Sequence, residues 1–497
     1  MKKISRRAIL LSSGAALGLL VASRYRANLP SQSGIEPLSP KLATGSTVLN
    51  DASELNATRV HKHIILRENP DIALINRLRK EIGEARKESR PVCVSAARHS
   101  MGGQSIPKNG HAIEFKNGLI EVDSSSMTYT AHAGARWSDV IRFLDPLGLS
   151  PTVMQSNNDF GVAATFCVNA HGWPFPFGPM GSTVRSFRMI LPDGELVNCS
   201  RDENQNLFFL TMGGYGLTGA IVDLEISMLP NQKLIPVFEK MQSFDLGKSF
   251  LKARLNQQIN MAYGRMNVDR DEFCQHALMV TYHTGNDQND LPPASGSGWT
   301  SKLSRHIYRF QLGNERMKKF RWWTETDIAP RLTRTEVTRN SLINEPVATL
   351  DDRDPKRADI LHEYFVAPEK FPDFVLICQQ IIPNSYQEFL NITLRYVNQD
   401  DESYLSYATT PRIAAVMSFS QEKTKRAEAD MRNMTKMLID AITELGGSYY
   451  LPYRQHPSVK QFEKVYPKAG DFALEKRQLD PNLVFRNNLW DTYLDKI

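Results

Sequence analysis

Three segments of small residues, widely separated along the chain, restrict what it can fold into more than any other feature. They lie at Gly102 and Gly103, at residues 161–172 and at residues 213–219. Glycine and alanine let the backbone approach a ligand closely, and loops of such residues present main-chain N–H groups without side chains in the way. Each segment is therefore suited to contact a pyrophosphate or a planar ring.

Two common phosphate-binding loops do not explain these segments. The chain has no Walker-type loop. Gly214, Gly216 and Gly219 have the G-x-G-x-x-G spacing, but they lead into residues 220–228, which are predicted to form a strand. Because the Rossmann dinucleotide site needs a helix to open at this point, a Rossmann site is disfavoured.

Hydrophobic periodicity predicts helices and strands around the small-residue segments. Residues 72–90 carry apolar side chains at helical spacing with charges between them, which indicates an amphipathic helix. Short alternating runs, and a Pro-Asp-Gly turn inside one of them, predict strands and a hairpin. The predicted strands are 91–95, 112–115, 119–122, 128–133, the hairpin 188–197 and 220–228, and a second helix covers 137–144.

The composition changes past Pro230, where glycines become fewer and charged and aromatic residues more frequent. A chain of 497 residues is too long for one ordinary core, so we place a domain boundary near this point. Helical periodicity returns at residues 368–380 and 423–445, and the polar residues 285–298 are predicted to form a surface loop. The second half therefore has the pattern of an α+β domain.

The N-terminus has the pattern of an export signal. Four basic residues precede the uncharged residues 8–22, and no acidic residue appears before Glu36. The run is shorter than the roughly 20 apolar residues that span a bilayer, so a signal peptide over residues 1–27 is predicted. Residues 5–10, Ser-Arg-Arg-Ala-Ile-Leu, are typical of a twin-arginine signal. We expect a periplasmic protein exported by the twin-arginine machinery; an ordinary secretory signal and an uncleaved anchor are the alternatives.

Charge and cysteine content argue against other classes of protein. The net charge of +6 comes from basic residues spread along the chain, which argues against nucleic-acid binding. The five cysteines include no CxxC pair, and no histidine lies at zinc-ligand spacing from them. We expect neither a disulfide framework nor a structural zinc, and no metal site is predicted.

The motifs, taken in order, resemble the FAD-binding domain of the vanillyl-alcohol oxidase superfamily, also called the PCMH type, over residues from about 60 to 230. The matching motifs are Arg98-His99-Ser100, Gly102-Gly103-Gln104-Ser105, Ala170-His171-Gly172, Asp193-Gly194 and Gly213-Gly214-Tyr215-Gly216-Leu217-Thr218. Val162, Ala163 and Ala164 depart from the family pattern, which often has two adjacent glycines there.

The resemblance implies an α+β fold with two main parts. A two-subdomain PCMH-type FAD-binding domain, residues 54–232 after a linker at 28–53, precedes a substrate domain, residues 233–460, with an antiparallel sheet flanked by helices. Residues 461–497 are expected to return to the FAD domain.

The resemblance also implies FAD as cofactor, held by the small-residue segments and the C-terminal return. The implied FAD-binding residues are Arg98, His99, Ser100, Met101, Gly102, Gly103, Gln104, Ser105, Gly161, Ala164, Thr165, Asn169, His171, Gly172, Gly216, Thr218, Ala220, Ile221 and Asn487. In many relatives the histidine matching His99 is bonded covalently to the flavin, so a covalent bond and a simple hydrogen bond are both open. Cys167 lies inside the middle segment, and no cysteinyl bond is expected.

The second half resembles the sugar-1,4-lactone and alditol oxidase branch more faintly. Leu394-Arg395-Tyr396 is similar to that branch's Glu-Ile-Arg strand, but Thr393 stands where the branch has glutamate. Arg454 follows a Gly-rich segment in the place of a family cation. The resemblance implies that Arg395, Arg454 and His171 act in catalysis, as cation, substrate-orienting group or flavin contact, although a salt-bridged or surface role is open for each arginine.

These implications together predict an FAD-dependent oxidoreductase. It would oxidise a CH–OH group of a small polyol, sugar or sugar lactone, with hydride transfer to flavin N5 and removal of the hydroxyl proton by a base. Dioxygen and a membrane quinone or cytochrome are both open as electron acceptors. An oxidase of a lipid-linked sugar, similar to decaprenylphosphoryl ribose oxidase, is a further alternative.

Overall fold

The computed structural model describes residues 36–38, 47–295, 308–332, 336–346 and 354–497. The predicted signal peptide lies outside these residues, as do most of the predicted linker and the end of the predicted loop 285–298. Among the described helices, none combines the length and the apolar character that crossing a bilayer requires.

A small parallel sheet with one crossover helix begins the N-terminal half. Its elements are β1 (Val48–Leu49), β2 (Thr58–Arg59), β3 (Lys62–Leu66), α1 (Ile72–Lys87), β4 (Val92–Ser95) and β5 (His111–Phe115). The sheet order is β3–β5–β4, with both pairs parallel, and β1 and β2 form a separate antiparallel pair. Asp71 caps α1 by accepting hydrogen bonds from two backbone N–H groups, and the helix buries its apolar face.

An antiparallel sheet of six strands follows, and it forms the second layer of this half. Its elements are β6 (Ile120–Asp123), β7 (Thr128–His132), α2 (Trp137–Leu144), β8 (Leu149–Pro151), α3 (Val162–Cys167), β9 (Val184–Ile190), β10 (Leu196–Ser200), α4 (Gln205–Thr211) and β11 (Ala220–Pro230). The strand order is β10–β9–β11–β7–β6, and β8 pairs with the end of β11. The middle small-residue segment contains α3, a helix that periodicity did not predict.

The C-terminal half is built on an antiparallel sheet of eight strands. They are β12 (Lys233–Gln242), β13 (Ile259–Met266), β14 (His276–Thr284), β15 (Val337–Thr338), β16 (Arg357–Val366), β17 (Glu388–Val397), β18 (Arg412–Glu422) and β19 (Ser448–Tyr449). Their order is β15–β12–β14–β13–β17–β18–β16–β19, and every pair is antiparallel.

Helices are the other main elements of the C-terminal half. They are α5 (Leu246–Ala253), α6 (Glu315–Trp323), α7 (Ala329–Leu332), α8 (Arg339–Ile343), α9 (Phe371–Ile381), α10 (Lys425–Glu444), α11 (Val459–Val465), α12 (Ala469–Leu479) and α13 (Asn488–Thr492). Phe374 of α9 and Leu438 of α10 belong to the same buried cluster as Ile392, Leu394 and Met417 of the sheet. A second buried cluster lies mainly in the N-terminal half.

The chain returns to the N-terminal half at its end. The N–H of Val92 in β4 donates to the carbonyl of Val484 at 2.6 Å, and Phe485 bridges Val92 in parallel. Asp480 accepts the N–H groups of both Val484 and Phe485 and is paired with the buried Lys476. These contacts hold residues 484–488 beside the first small-residue segment.

Candidate active site

A cavity of about 1080 Å³ lies between the two halves of the molecule. Its N-terminal wall is made of loops and α3, and its C-terminal wall is a face of the eight-stranded sheet. Ligand pockets usually span about 300–1,000 Å³. This cavity can therefore hold a large ligand together with a small one.

The loop around the first small-residue segment is held in place by hydrogen bonds of the residues on either side of the two glycines. Arg98 has a φ of 51°, and its guanidinium donates to Glu114 at 2.7 Å. Gln104 accepts the Gly102 N–H at 2.9 Å and donates to the Leu451 carbonyl at 2.7 Å. A Cβ on Gly102 would lie 2.5 Å from the carbonyl oxygen of Tyr453, so only glycine allows this approach.

The middle segment contributes small side chains to the same wall. Gly161, Ala163, Ala164 and Thr165 line the cavity, and a Cβ on Gly161 would lie 2.6 Å from the Cβ of Ala96 in the first loop. The first two segments therefore touch. Thr165 is fixed in place, since its hydroxyl accepts the Trp137 indole N–H at 2.9 Å.

The third segment opens toward the cavity at Gly216. This residue has a φ of 70° and lines the cavity, and a Cβ built on it would meet no atom within 4 Å. Tyr215 precedes it with a φ of 56°, and its carbonyl accepts a hydrogen bond from Asn487 at 2.9 Å. The loop around the first segment, the middle segment and Gly216 thus form one wall of small residues and backbone, which fits a flat cofactor that carries phosphate groups.

His99 lies on this wall, where a planar ligand would meet it. Its ring stacks on Phe160 with centroids 4.3 Å apart, and its Nε2 lies 3.9 Å from Asp159. Burial lowers the pKa of His99, opposed by Asp159 and assisted by the nearby Arg136. A lowered pKa favours the neutral imidazole, the form that can act as a nucleophile.

Strand alternation places polar side chains on the opposite wall. Asn391, Thr393 and Arg395 of β17 line the cavity, whereas the intervening Ile392 and Leu394 are in the core. The same alternation turns Asp359, Leu361 and Glu363 of β16 and Val416 and Ser418 of β18 toward the cavity. The sheet face, and not a loop, therefore carries the polar groups.

Glu363 joins two other cavity residues by hydrogen bonds. One carboxylate oxygen is bonded to Nε2 of His171, and the other accepts the Tyr453 hydroxyl at 3.1 Å. Both Glu363 and His171 are 3% exposed. The second ring nitrogen of His171, Nδ1, is buried and has no hydrogen-bond partner among the described residues. The pair thus leaves one imidazole nitrogen available to a ligand.

Arg395 is the cation next to this pair. Its Nη2 donates to the Ser156 hydroxyl at 2.8 Å, while its buried Nε lacks a hydrogen-bond partner within the described part of the chain. Burial lowers the pKa of Arg395, whereas the charge of Glu363 raises it. An arginine donor facing a cavity without an acceptor is suited to bind an oxygen of a ligand.

Burial raises the pKa of the three phenols around the pair. Tyr407, Tyr450 and Tyr453 all have pKa values well above their usual range, with burial as the largest cause and Glu363 contributing. They are therefore hydrogen-bond donors at neutral pH. Tyr450 donates to the Val168 carbonyl at 2.8 Å, which leaves Tyr453 as the phenol bound to Glu363.

The far end of the cavity is lined by arginines that already have partners. Arg265 and Arg321 share Glu325, at 3.1 and 2.8 Å. Arg321 also donates to Asn391 at 3.1 Å, and Tyr308 is hydrogen-bonded to Ser418 at 2.7 Å. This end offers a ligand hydroxyl groups and amides more than free charge.

The structure brings most of the sequence-predicted residues to the cavity. Those that line it are Arg98, His99, Ser100, Met101, Gln104, Ser105, Gly161, Ala164, Thr165, His171, Gly216, Ile221 and Arg395. The others are not among the described lining residues: Gly102, Gly103, Asn169, Gly172, Thr218, Ala220 and Asn487. Asn169, for example, accepts the Gly181 N–H at 2.8 Å and donates to Asp400, so it supports the wall without forming it.

Arg454 is a predicted catalytic residue that the structure places outside the described cavity lining. It does not line the cavity, and its guanidinium donates to Glu428 at 2.6 Å and to Asn56 at 3.1 Å. His456 is bonded to the same carboxylate at 2.9 Å. Arg454 is thus paired with Glu428 away from the cavity lining, and its catalytic role stays a prediction, whereas Arg395 is the predicted cation that lines the cavity.

Sequence reasoning missed Glu363 and Tyr453. A signal for Glu363 existed, since it is a lone carboxylate in the apolar run Tyr364-Phe365-Val366 and its neighbours, and buried charges in strands need a partner. Tyr453 precedes Arg454 in the sequence, and only the local backbone conformation decides which of the two side chains faces the cavity. No periodicity could supply that conformation in an irregular segment.

Comparison with a family model identifies the N-terminal half. Residues 75–200 match the model described as an FAD binding domain. This segment includes the first two small-residue segments and His99. The chain therefore contains an FAD binding domain, which confirms the predicted cofactor class for this part.

Curated relatives match only part of the chain. Cytokinin dehydrogenase 7 of Oryza sativa subsp. japonica is 31% identical over 152 residues, 29% of each chain. L-galactono-1,4-lactone dehydrogenase 1, mitochondrial, of the same plant is 26% identical over 238 residues, 47% of this chain and 39% of the relative. An uncharacterized oxidoreductase in the fasciation locus of Rhodococcoides fascians is 26% identical over 224 residues, 43% and 51% of the two chains. The matches thus span between 29% and 51% of these relatives.

A solved structure matches nearly the whole chain in fold. The crystal structure of 6-hydroxy-D-nicotine oxidase from Arthrobacter nicotinovorans superposes with a TM-score of 0.61 at 13% identity, covering 90% of this chain and 98% of that one. Likeness at this identity shows a shared fold. The α+β architecture predicted from the sequence is confirmed.

Proposed function

This chain carries an FAD binding domain, and we propose that it is an FAD-dependent oxidoreductase that oxidises a CH–OH group of a small polyol, sugar or sugar lactone. The observation that carries the proposal is the cluster of Arg395, Glu363, His171 and Tyr453 in the same cavity as the small-residue wall. When bound, FAD supplies the hydride acceptor at its N5 atom.

Oxidation of a carbinol requires a base for the hydroxyl proton, and His171 is suited to this role. With Nε2–H donating to Glu363, the lone pair of Nδ1 is available to accept the proton. Glu363 stabilises the imidazolium that results, because its charge is adjacent and its second oxygen is already held by Tyr453. The pair therefore has the arrangement of a general base and its orienting carboxylate.

Arg395 is suited to hold the oxygen that reacts. Its unpartnered Nε can donate to the hydroxyl and to the carbonyl that replaces it, and its charge stabilises the developing alkoxide. Asn391, Thr393 and Ser418 on the same sheet face offer hydrogen bonds to further hydroxyl groups. This supports a substrate with several hydroxyls, and the lactone named in the L-galactono-1,4-lactone dehydrogenase relatives is the first substrate to try.

The proposal is tested by reduction of the bound flavin without oxygen. Purified protein loaded with FAD is mixed anaerobically with L-galactono-1,4-lactone and a panel of sugars, lactones and alditols, and the visible flavin absorption is followed. Bleaching by one class of compound identifies the substrate class. If the protein binds FAD and no member of the panel bleaches it, the proposed class of small soluble substrates is wrong.

The electron acceptor and the location of the protein are part of the same proposal. An exported, periplasmic enzyme, delivered folded by the twin-arginine machinery, would pass electrons to dioxygen or to a quinone or cytochrome at the membrane. The basic twin-arginine-like N-terminus supports export. Admitting air to the reduced protein separates the acceptors, since an oxidase releases hydrogen peroxide and a dehydrogenase reoxidises slowly without a quinone. A lipid-linked sugar is the alternative substrate if soluble compounds fail.

A covalent bond between His99 and the flavin is proposed on the same basis. Its position on the wall of small residues and its lowered pKa support it. Acid precipitation checks it: flavin that stays with the pellet is bonded, and the bond should be lost in His99→Ala. Flavin that is released to the supernatant contradicts the bond and leaves the oxidoreductase proposal intact.

A further inference from the structure

Two histidines and a glutamate lie close together at the amino-terminal ends of the strands of the parallel sheet, outside the described cavity lining. His61 immediately precedes β3, Glu88 is the C-cap of α1, and His111 begins β5. Their ligand atoms all lie within 4.8 Å of one another. The sequence did not predict this grouping, because the three residues are separated by more than 20 positions and become neighbours only when the strands pair.

One carboxylate oxygen of Glu88 lies close to both imidazoles of the cluster. Nε2 of His61 lies 3.3 Å, and Nε2 of His111 3.6 Å, from the same Oε2 of Glu88. Around a tetrahedral zinc with bonds of about 2.0–2.1 Å, neighbouring ligand atoms are about 3.3–3.4 Å apart. The distance from His61 matches this spacing and that from His111 exceeds it by a few tenths of an ångström, so a small side-chain shift would bring the three ligand atoms around one ion.

His111 supplies an independent observation. Its side chain is 1% exposed, and neither of its ring nitrogens has a hydrogen-bond partner among the described residues. Carboxylate oxygens of Glu81 and Glu88 lie 3.8 Å from Nδ1 and 3.6 Å from Nε2, too far for good hydrogen bonds, and a buried imidazole held this loosely needs an explanation. The ring of His61 packs against it with centroids 5.4 Å apart, which fixes the orientation of both.

We propose that His61, Glu88 and His111 bind a divalent transition-metal ion, with Zn²⁺ as the best match. Imidazole and carboxylate ligands suit this ion, and water would complete the fourth position. Arg90 donates to the same oxygen of Glu88 at 3.0 Å, so the ion replaces an ion pair that is partly exposed and worth little.

The ion would stabilise the domain without entering the reaction. It would tie the start of β3, the end of α1 and the start of β5 together, and the described lining of the cavity includes none of the three ligands. An ion that binds only the folded chain raises its stability by mass action. The inference is independent of the proposed oxidation, since its readouts need no turnover.

The test is zinc binding by the full-length protein, purified without a histidine tag and stripped with a chelator. Titration calorimetry should give one Zn²⁺ per chain, and zinc should raise the midpoint of thermal unfolding. His61→Asn, at a half-exposed position, should weaken binding at least about tenfold and abolish the thermal shift, as second-sphere and ligand changes usually do. His111→Asn should behave alike if it folds.

His276→Asn is the matched control. His276 has a carboxylate neighbour, Glu272 at 3.8 Å, but no third ligand in the described part of the chain, so zinc binding should be unchanged. Zinc binding that survives His61→Asn in full, or the absence of binding at micromolar zinc in the wild type, overturns the proposal. Both outcomes leave flavin content, and thus the proposed function, untouched.

Discussion

We expect substrate orientation in the proposed reaction to depend on Arg395. Replacing it with methionine removes a buried donor and its charge while keeping most of the volume. We expect kcat/KM to fall about 10²–10³-fold, the usual effect of losing one preorganised donor to a developing oxyanion. Steady-state kinetics with the substrate identified by flavin bleaching measures this. Arg412→Lys, at a buried arginine that donates to Gly446, is the control and should change kcat/KM little.

Glu363 is predicted to act through His171. Glu363→Gln keeps the shape and the hydrogen bond from Tyr453 but removes the negative charge, so kcat should fall about 10²–10⁴-fold, the range for loss of base catalysis. The pH profile of kcat should move as well, because a charge beside the imidazole is gone. Flavin content should match the wild type. Unchanged kcat with an unchanged profile would rule out the pair as the base.

The ionisation of Glu114, which binds Arg98 of the first loop, should make the stability of the folded protein depend on pH. Burial alone would raise the pKa of its carboxyl, but Lys116 and Arg98 bind it and hold its pKa at about 2, below the ordinary 4.5. A lowered carboxyl pKa contributes stability that is complete above about pH 4.5 and is lost as pH falls through about 2. Glu114→Gln should therefore cost up to about 3 kcal/mol at neutral pH and only a few tenths of a kcal/mol near pH 2.

Urea unfolding of the two proteins across this pH range measures the difference. Glu121→Gln removes an exposed carboxylate from β6 and is the control, with no pH-dependent loss expected. A gap between Glu114→Gln and the wild type that stays constant from neutral pH to about pH 2 would contradict the linkage.

At the scale of elements, Asn487 joins the C-terminal return to the third loop. Its Oδ1 caps α13 by accepting two N–H groups, and its Nδ2 donates to the Tyr215 carbonyl. Asn487→Ala should cost about 1–2 kcal/mol through the lost cap and hydrogen bond. Since Tyr215 precedes Gly216 on the cavity wall, noncovalent FAD affinity should fall too. Equilibrium dialysis and urea unfolding measure the two effects.

Asn433→Ala on the exposed face of α10 is the control for this variant. It should change neither FAD affinity nor stability by more than a few tenths of a kcal/mol. If Asn487→Ala loses stability but retains FAD as the wild type does, the return stabilises the fold without shaping the wall.

Helices with one apolar face could be predicted from the sequence. A helix whose formation depends on tertiary packing could not. Periodicity predicts the helix at residues 72–90, which is observed as Ile72–Lys87, and predicts 137–144, which matches Trp137–Leu144. Helix α3 was not predicted because its alanines show no amphipathic pattern. Its position depends on close packing against other segments, as at Gly161, which leaves no room for a Cβ beside Ala96. A helix of one or two turns gains its stability from such packing and not from propensity.

For the site, the motif residues that face the cofactor wall could be found by resemblance, whereas the polar sheet face could not. Arg395 was found because its neighbours resemble a family strand. Glu363 lies on β16, two strands from β17 along the sheet, and only the register of both with β18 places them on one face. The register between these strands is set when the sheet folds, so it could not be predicted from the spacing of residues along the chain.

At the scale of the whole molecule, the cavity lies between two separately packed cores, so a bound cofactor should stabilise both halves. FAD that binds only the folded chain adds RT ln(1 + [FAD]/Kd), about 2.7 kcal/mol at a hundredfold excess over Kd. Cofactor-free protein, made from His99→Ala if the flavin is bonded, should unfold at a lower temperature, and added FAD should restore the loss in proportion to its logarithm.

Hydrogen exchange can show which regions of the molecule FAD stabilises. Without FAD, protection should fall in the loop at residues 98–105 and around Gly216, and also in β16 and β17, because both walls lose the ligand that fills the space between them. Strands β6 and β12, which contribute no residue to the described cavity lining, are the internal reference and should keep their protection. Loss confined to the N-terminal loops would mean that the sheet face is rigid by itself. The substrate groups of β16 and β17 would then be preorganised before the cofactor arrives.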